Sequence, residues 1–314
     1  MKLQTQLKLQ PSQTQFGYED KLLLLGSCFS ENIGKKLEYY KFQSVTNPFG
    51  IIFNPVALER LIEDAVANKT YTEEDVFELE GVWKSYLAHS DLNATSRLQA
   101  VIHLQEAQQQ LRTQFLEASH LFITLGTAWV YRSIGTNEVV ANCHKVPQKE
   151  FKKELLSVAE LRRSLSQIVE HAKTLNPAIS ITFTVSPVRH IKDGIVENAR
   201  SKSHLISAVH ELVDSHNLSY FPSYELMMDE LRDYRFYASD MLHPSEQAID
   251  YIWKKFVEVY AFAKAQDTLK KVSSIQNRLQ HKPFNPASEK HKMFMQKLDN
   301  DIAHFISEHP FINF

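Results

Sequence analysis

Three short strand-like runs in this chain each end at a glycine. "LLLL" runs into Gly26, "VTNPF" into Gly50 and "LFITL" into Gly126. Only 8 of the 314 residues are glycine, where average usage of roughly 7% predicts about 22. A glycine at the end of a strand lets the backbone turn sharply or approach a ligand closely. Three such ends point to one shared crevice.

Leu22–Leu25 reads as a strand buried on both faces. Beyond it the period changes to helical, with Phe29, Ile33, Leu37 and Tyr40 on one face. Glu31 lies early and Lys35, Lys36 and Lys41 late, the charge order that suits a helix dipole. Ser27 therefore falls between a strand end and a helix N-terminus. A second strand and loop follow in "FQSVTNPFGIIFNP", then a helix over about 56–67. Residues 71–97 suggest a small hairpin turning near Gly81, and a polar helix is expected over about 98–119. "HLFITLG" is a third buried strand. "TAWVYRSIGTNEVVANCHKVP" reads as an inserted hairpin over about 127–146. Next come a helix over about 148–175, a fourth strand in "AISITFTVSPV", a helix over 201–216 and a fifth strand in "LSYFPS". A helix over 244–263 then has Pro244 at its first position.

Five alternations of strand and helix predict an α/β three-layer fold with a parallel sheet and right-handed crossovers. In such sheets ligands bind beyond the carboxyl ends of the strands. The expected division is a domain over 1–264, with an insertion at about 68–118, and a helical C-terminal extension over 265–314.

The composition narrows the function. Hydrophobic residues make up 43% and charged residues 23%, with a net charge of −2, which implies no strongly basic face and makes nucleic acid a poor guess for a partner. Two cysteines, Cys28 and Cys143, give no disulfide framework and suit a reducing compartment. Leu-Gly-Ser-Cys superficially matches a lipoprotein signal, but the four-leucine run falls short of the roughly 7–15 apolar residues required and follows Glu19 and Asp20. No run approaches the roughly 20 apolar residues of a membrane span. The expectation is a cytoplasmic protein without membrane or nucleic-acid partners. No metal or nucleotide motif is present, so no cofactor is expected.

A serine hydroxyl needs a base and oxyanion donors to act as a nucleophile. Ser27 has a helix N-terminus beside it, a source of N–H groups, and its own backbone N–H is an expected oxyanion donor. Among 14 histidines, His243 stands out in "ASDMLHPSE", three residues after Asp240. A turn of that spacing brings the carboxylate to Nδ1–H and leaves Nε2 for the serine.

Gly26-Ser27-Cys28-Phe29 resembles the signature of the GSCFA family, with Ser30 where the family name has alanine. That family is similar to the SGNH/GDSL hydrolases, which have a flavodoxin-like sheet. The resemblance extends through "NPFGIIFNP", "EGVWKSYLAHS", "LGTAWVYR", "ANCHKVP", "TVSPVRH", "SYELMMDELRDYRFY" and "DMLHPS", covering roughly residues 20–260. It implies a metal-free serine esterase: Ser27 as nucleophile, Asp240 and His243 as the Asp-x-x-His block, and Gly50 as the source of an oxyanion N–H. SGNH hydrolases read Gly-x-Asn-Asp after the third strand, and this chain reads Gly126-Thr127-Ala128-Trp129. Alanine cannot donate. Asn142 and His144 are candidates to replace the missing donor, and Arg189 is a candidate substrate contact at the fourth strand's end. The expected substrate is a small-molecule ester, with acylated sugars one class.

Plainer readings compete. Ser27 can serve as a helix cap. Cys28 can be the nucleophile, since a helix N-terminus favours a thiolate, or a small buried residue. His144 can be a satisfied buried histidine, Asn142 a turn residue and Arg189 a surface charge. With Ala128 where a donor is expected, an inactive binding or scaffold protein on a hydrolase-like fold is a rival to an enzyme.

Overall fold

The computed structural model describes residues 4–216 and 218–314. In chain order the strands are β1 (Lys21–Gly26), β2 (Gln43–Thr46), β3 (Phe77–Leu79), β4 (Val82–Lys84), β5 (His120–Leu125), β6 (Trp129–Ser133), β7 (Val139–Val140), β8 (Phe151–Leu155), β9 (Ser180–Val185) and β10 (Ser219–Phe221). The helices are α1 (Cys28–Tyr39), α2 (Pro55–Val66), α3 (Arg97–Glu117), α4 (Val158–Leu175), α5 (Ile195–Ser215), a short α6 (Ser223–Glu225), α7 (Glu246–Tyr260), α8 (Ala263–Leu279) and α9 (Glu289–Glu308).

The central sheet has the order β10-β9-β5-β1-β2, with every neighbouring pair parallel. Its strands, counted along the chain, run 2-1-3-4-5, the flavodoxin-like order. The order reverses between β1 and β5, so the crevice of the switch point opens beyond Gly26 and Leu125. Residue period 2 divides the sheet's side chains between two cores. Leu23, Leu25, Leu121, Ile123 and Phe183 face a core built with α2, α3, α4 and α5. Leu22, Leu24, Phe122 and Phe221 face another built with α1, α7, α8 and α9. The four leucines of β1 are 0–4% exposed, each contributing about 1.5–3 kcal/mol of burial. The extension over 265–314 shares this second core through Val272, Ile275, Leu298 and Phe305.

Helix starts follow local chemistry. Asn54 Oδ1 accepts from Ala57 N–H at 2.9 Å, with Pro55 opening α2. Ser157 and Glu160 form a reciprocal capping box at α4. That box explains one departure from the sequence reading: the α-helix starts at Val158, and 148–157 holds only a 3-10 turn over Gln148–Glu150 before the next strand. Residues Phe151–Leu155 instead form β8, which pairs antiparallel with β6. The inserted hairpin is thus a three-stranded sheet, β7-β6-β8. A second departure is at α7. Ser245 is the N-cap, and Pro244 stays extended in a bridge with Tyr237, so it lies outside the helix. The hairpin turning near Gly81 is present as β3–β4. Among the described residues, no helix is long and apolar enough to cross a membrane.

Candidate active site

The turn from β1 to α1 carries the first half of the site. Gly26 has φ of +122°, and a Cβ there would meet Thr124 O at 2.1 Å, so only glycine fits. Ser27 follows in extended conformation as the N-cap of α1, and its Oγ accepts from Phe29 N–H at 3.4 Å. Ser27 is 0% exposed. Cys28, the first residue of the helix, is partly exposed. Burial pushes its thiol upward. The Lys202 ammonium and the Cys28 and Phe29 N–H groups oppose that shift, and Glu31 adds to it.

The expected oxyanion donors are engaged within the fold. Ser27 N–H donates to Thr124 O at 3.0 Å, and Gly50 N–H donates to Asn47 O at 2.7 Å. Gly50 has φ of +73° and packs its Cα against His89, where a Cβ would come within 2.4 Å of that side chain. Cys28 N–H belongs to the first turn of α1, where helical amides have no carbonyl partner in the helix. It faces its own thiol.

Asn142 and His144 also take other roles. Asn142 Oδ1 accepts from His144 N–H at 2.9 Å. His144 is 5% exposed, and its Nε2 bonds Ser85 O at 2.7 Å and Ala88 O at 3.1 Å. Two carbonyl acceptors require Nε2 to carry the proton. Together these residues tie the β6–β8 insertion to the segment after β4, and their bonds match a turn residue and a satisfied buried histidine.

The loop after β5 is held by α5, through buried polar residues to which the sequence reading gave no role. Asn198, Ser201 and Lys202 are 8%, 2% and 2% exposed, at the i, i+3, i+4 spacing of one helical face. Ser201 Oγ accepts from Ala128 N–H at 2.8 Å and lies 3.1 Å from Thr127 Oγ1. Lys202 Nζ donates to Gly126 O and Ser186 O, both at 2.7 Å. Gly126 thus supplies a carbonyl at the crevice rim, held by a buried amine. Burial lowers Lys202 to about 7. The available signal was three polar residues on the apolar face of a helix, in "ENARSKSHLI".

The second half of the site is the Asp240–His243 turn. His243 Nδ1 and Asp240 Oδ2 are 2.6 Å apart. Asp240 Oδ1 accepts from Leu242 N–H at 2.9 Å and His243 N–H at 3.0 Å. Met241 adopts φ of +60°, which lets so short a turn close. The His243 and Leu242 N–H groups, and then the imidazole, hold the Asp240 carboxyl down at about 2. A carboxylate on Nδ1–H leaves Nε2 as the free ring nitrogen.

Arg189 braces this turn. Its N–H donates to Leu242 O at 3.3 Å, and its guanidinium lies 4.4 Å from the Tyr237 ring centroid and 5.7 Å from that of Tyr234. Next to it, His190 packs edge-on against Phe53 at 5.1 Å. Its buried Nε2 has no hydrogen-bond partner. Burial, then Lys202, then His243 lower its pKa to about 3.

Electrostatic reach links the two halves. Lys202 acts on Cys28 and on His190, and His243 acts on His190. Among the described residues, no hydrogen bond joins Ser27 to His243; the Ser27 hydroxyl's partner is the helix it caps. Nor do three or more His, Cys, Asp or Glu side chains gather into a metal-binding group among those residues.

A parallel 2-1-3-4-5 sheet, with the Ser27–Cys28 turn at its switch point and an Asp-His turn on a separate loop, defines the class of fold. The chain belongs to the GSCFA family: the sequence matches that family over residues 21–256, and the C-terminal domain of GSCFA domain proteins over 272–314. Among solved structures, it is similar to a family 3 carbohydrate esterase of Clostridium thermocellum. That likeness has a TM-score of 0.35 and 8% identity, covering 80% of this chain and 97% of the other. No curated protein matches.

Proposed function

We propose that this protein is an acyl hydrolase acting on ester bonds through an acyl-enzyme formed at the β1–α1 turn. The observation that carries the reading is the Asp240–His243 pair, with 2.6 Å between Oδ2 and Nδ1. Such a carboxylate fixes the tautomer and stabilises the imidazolium that forms during proton transfer.

Between the turn's two nucleophiles, the geometry favours Cys28. Attack by Ser27 requires a fully buried hydroxyl to leave its cap, whereas Cys28 is partly exposed. In this reading His243 Nε2 takes the thiol proton, and the thiolate forms a bond to the ester carbonyl carbon. The tetrahedral oxyanion collapses, the C–O bond breaks, and the alcohol leaves with the proton from His243. Water, activated by the same imidazole, then hydrolyses the thioester and returns the thiol. Cys28 N–H is the backbone donor closest in sequence to the nascent oxyanion.

The serine reading remains the alternative, supported by the resemblance to SGNH hydrolases. Labelling separates the two. Iodoacetamide should modify Cys28 at neutral pH, and a fluorophosphonate should leave Ser27 unmodified. A fluorophosphonate adduct on Ser27 that disappears in His243→Ala would reverse the assignment, and inertness of both residues would favour a scaffold. Turnover of acetyl, longer acyl and sugar esters would then define the substrate.

A further inference from the structure

His190 carries a buried ring nitrogen, Nε2, with no hydrogen-bond partner among the described residues. Leaving such a group unpaired costs about 1–3 kcal/mol. Other buried histidine nitrogens differ in partner or in place. His144 Nε2 serves two carbonyls, and His89 Nδ1 has the Asp91 carboxylate 3.0 Å away. His120 Nε2 is also unpaired, but it stands at the amino end of β5, with Nδ1 on Ser119 Oγ at 2.8 Å.

Contacts place the His190 ring at the crevice, on the face of the sheet that carries the β1–α1 turn. Ile52 N–H donates to Gly26 O at 3.0 Å, and Phe53 O accepts from Gly126 N–H at 2.9 Å. Residues 52 and 53 therefore span the ends of β1 and β5. Ile52 enters the core built with α2, and alternation turns Phe53 to the opposite face. Two further contacts agree. Thr124 Oγ1 lies 2.8 Å from Ser30 Oγ of α1, and Gly126, two residues on, shares that face. A Cβ on Gly126 would lie 3.1 Å from Phe53 Cδ1. The His190 ring packs on Phe53, with 5.1 Å between centroids. Asn198 Oδ1 fixes its main chain by accepting from His190 N–H at 2.9 Å. Arg189 N–H reaches Leu242 O at 3.3 Å, so His190 and His243 each stand one residue from a shared bond. The ring lies between the strand ends and the Asp240–His243 turn.

We propose that His190 Nε2–H donates to the carbonyl oxygen of the ester and to the oxyanion which that oxygen becomes. The inference rests on the proposed ester hydrolysis and holds for either nucleophile of the β1–α1 turn. Acyl transfer puts negative charge on that oxygen, and donors already aimed at it stabilise the transition state. Two backbone donors at the crevice are engaged elsewhere: Ser27 N–H with Thr124 O and Gly50 N–H with Asn47 O. As the nucleophile bonds to the carbonyl carbon, the C=O π pair moves onto oxygen; as the alcohol leaves, the pair returns. The His190 proton stays on nitrogen throughout. Burial first, then Lys202 and His243, hold the His190 pKa at about 3, so at neutral pH the ring is uncharged and has one N–H. Such a ring is too weak a base for the step given to His243. It donates without setting a second positive charge beside that residue.

Kinetics and melting of His190→Leu test the proposal together. Turnover of p-nitrophenyl acetate should fall by about 10²–10³-fold, in kcat and kcat/KM alike. The melting temperature should hold or rise, because an apolar group replaces an unpaired buried one. His190→Gln sets an amide N–H near the place of Nε2 and should restore most of the lost turnover. Turnover of His190→Leu within a few-fold of the wild type overturns the proposal, as does a loss that His190→Gln does not restore.

Should His190→Leu fail to fold, His190→Asn takes its place, since the shorter amide reaches only the position of Nδ1. It should turn over the ester about 10²-fold more slowly than His190→Gln; equal rates in the two overturn the proposal. A wild-type chain that turns over no ester removes the proposed function and this inference with it. Ester turnover indifferent to residue 190 removes this inference alone.

Discussion

Ser27 is 0% exposed and lies between β1 and α1 with glycine behind it and a helix ahead, whereas the His243 and Asp240 side chains keep 48% and 45% of their surface. The first half of the site is held by the sheet: Gly26 touches Thr124, Ser27 N–H bonds Thr124 O, and Lys202 bonds the two neighbouring strand ends. The second half is held by its own loop. Asp240 accepts three bonds from Leu242 and His243, Ala238 N–H donates to His243 O, and Arg189 braces the turn from outside. A change in the first half therefore acts on stability as well as on any chemistry, and a change in the second acts almost on chemistry alone.

The largest expected effect tests that separation. His243→Ala should lower ester turnover by about 10²–10⁴-fold, the usual worth of a general base, while thermal stability stays within about 0.5 kcal/mol, as for other surface substitutions. Unfolding melts and kinetics on the same preparation check both numbers; a large loss of stability would show that the loop is not self-supporting.

Gly26→Ala should give the opposite pattern. A Cβ 2.1 Å from Thr124 O, on a backbone at φ of +122°, should cost about 3 kcal/mol of stability. Denaturant unfolding would measure it, and a neutral result would mean that the β1–α1 turn can relax.

Ser27→Ala divides cap from nucleophile. Losing the cap should cost about 1 kcal/mol and leave turnover within a few-fold of the wild type. Abolished turnover in a folded variant would return Ser27 to the nucleophile's role.

The smallest effect concerns pH. The Asp240 carboxyl is held at about 2 in the folded chain against an ordinary value near 3.9. Its contribution to stability is present above the ordinary value and is lost as pH falls towards 2. Asp240→Asn should flatten the stability profile over that interval, read by melts at successive pH values.

Much of the architecture is legible in the sequence because it is local. Four leucines before a glycine, a capping serine, and Asp and His three residues apart each carry their own signal. What the sequence hides depends on partners far along the chain. β8 exists because Phe151–Leu155 finds the open edge of β6, and "FKKEL" itself has no strong strand pattern. Gly50 N–H is lost as a free donor to Asn47 O, a turn bond that residue types alone do not reveal. Lys202 looks like one more surface lysine on a helix until the fold turns that face inward, beneath the strand ends. The same holds for Ser27 and Cys28: adjacent positions at a helix start differ in exposure only once the sheet is built over one of them.

The most direct measurement is acid quench of the protein during turnover of p-nitrophenyl acetate, followed by peptide mass analysis. The account predicts an acetyl group on Cys28 that is absent or greatly reduced in His243→Ala. Acetyl on Ser27 instead, or release of p-nitrophenol with neither residue acylated, would contradict it.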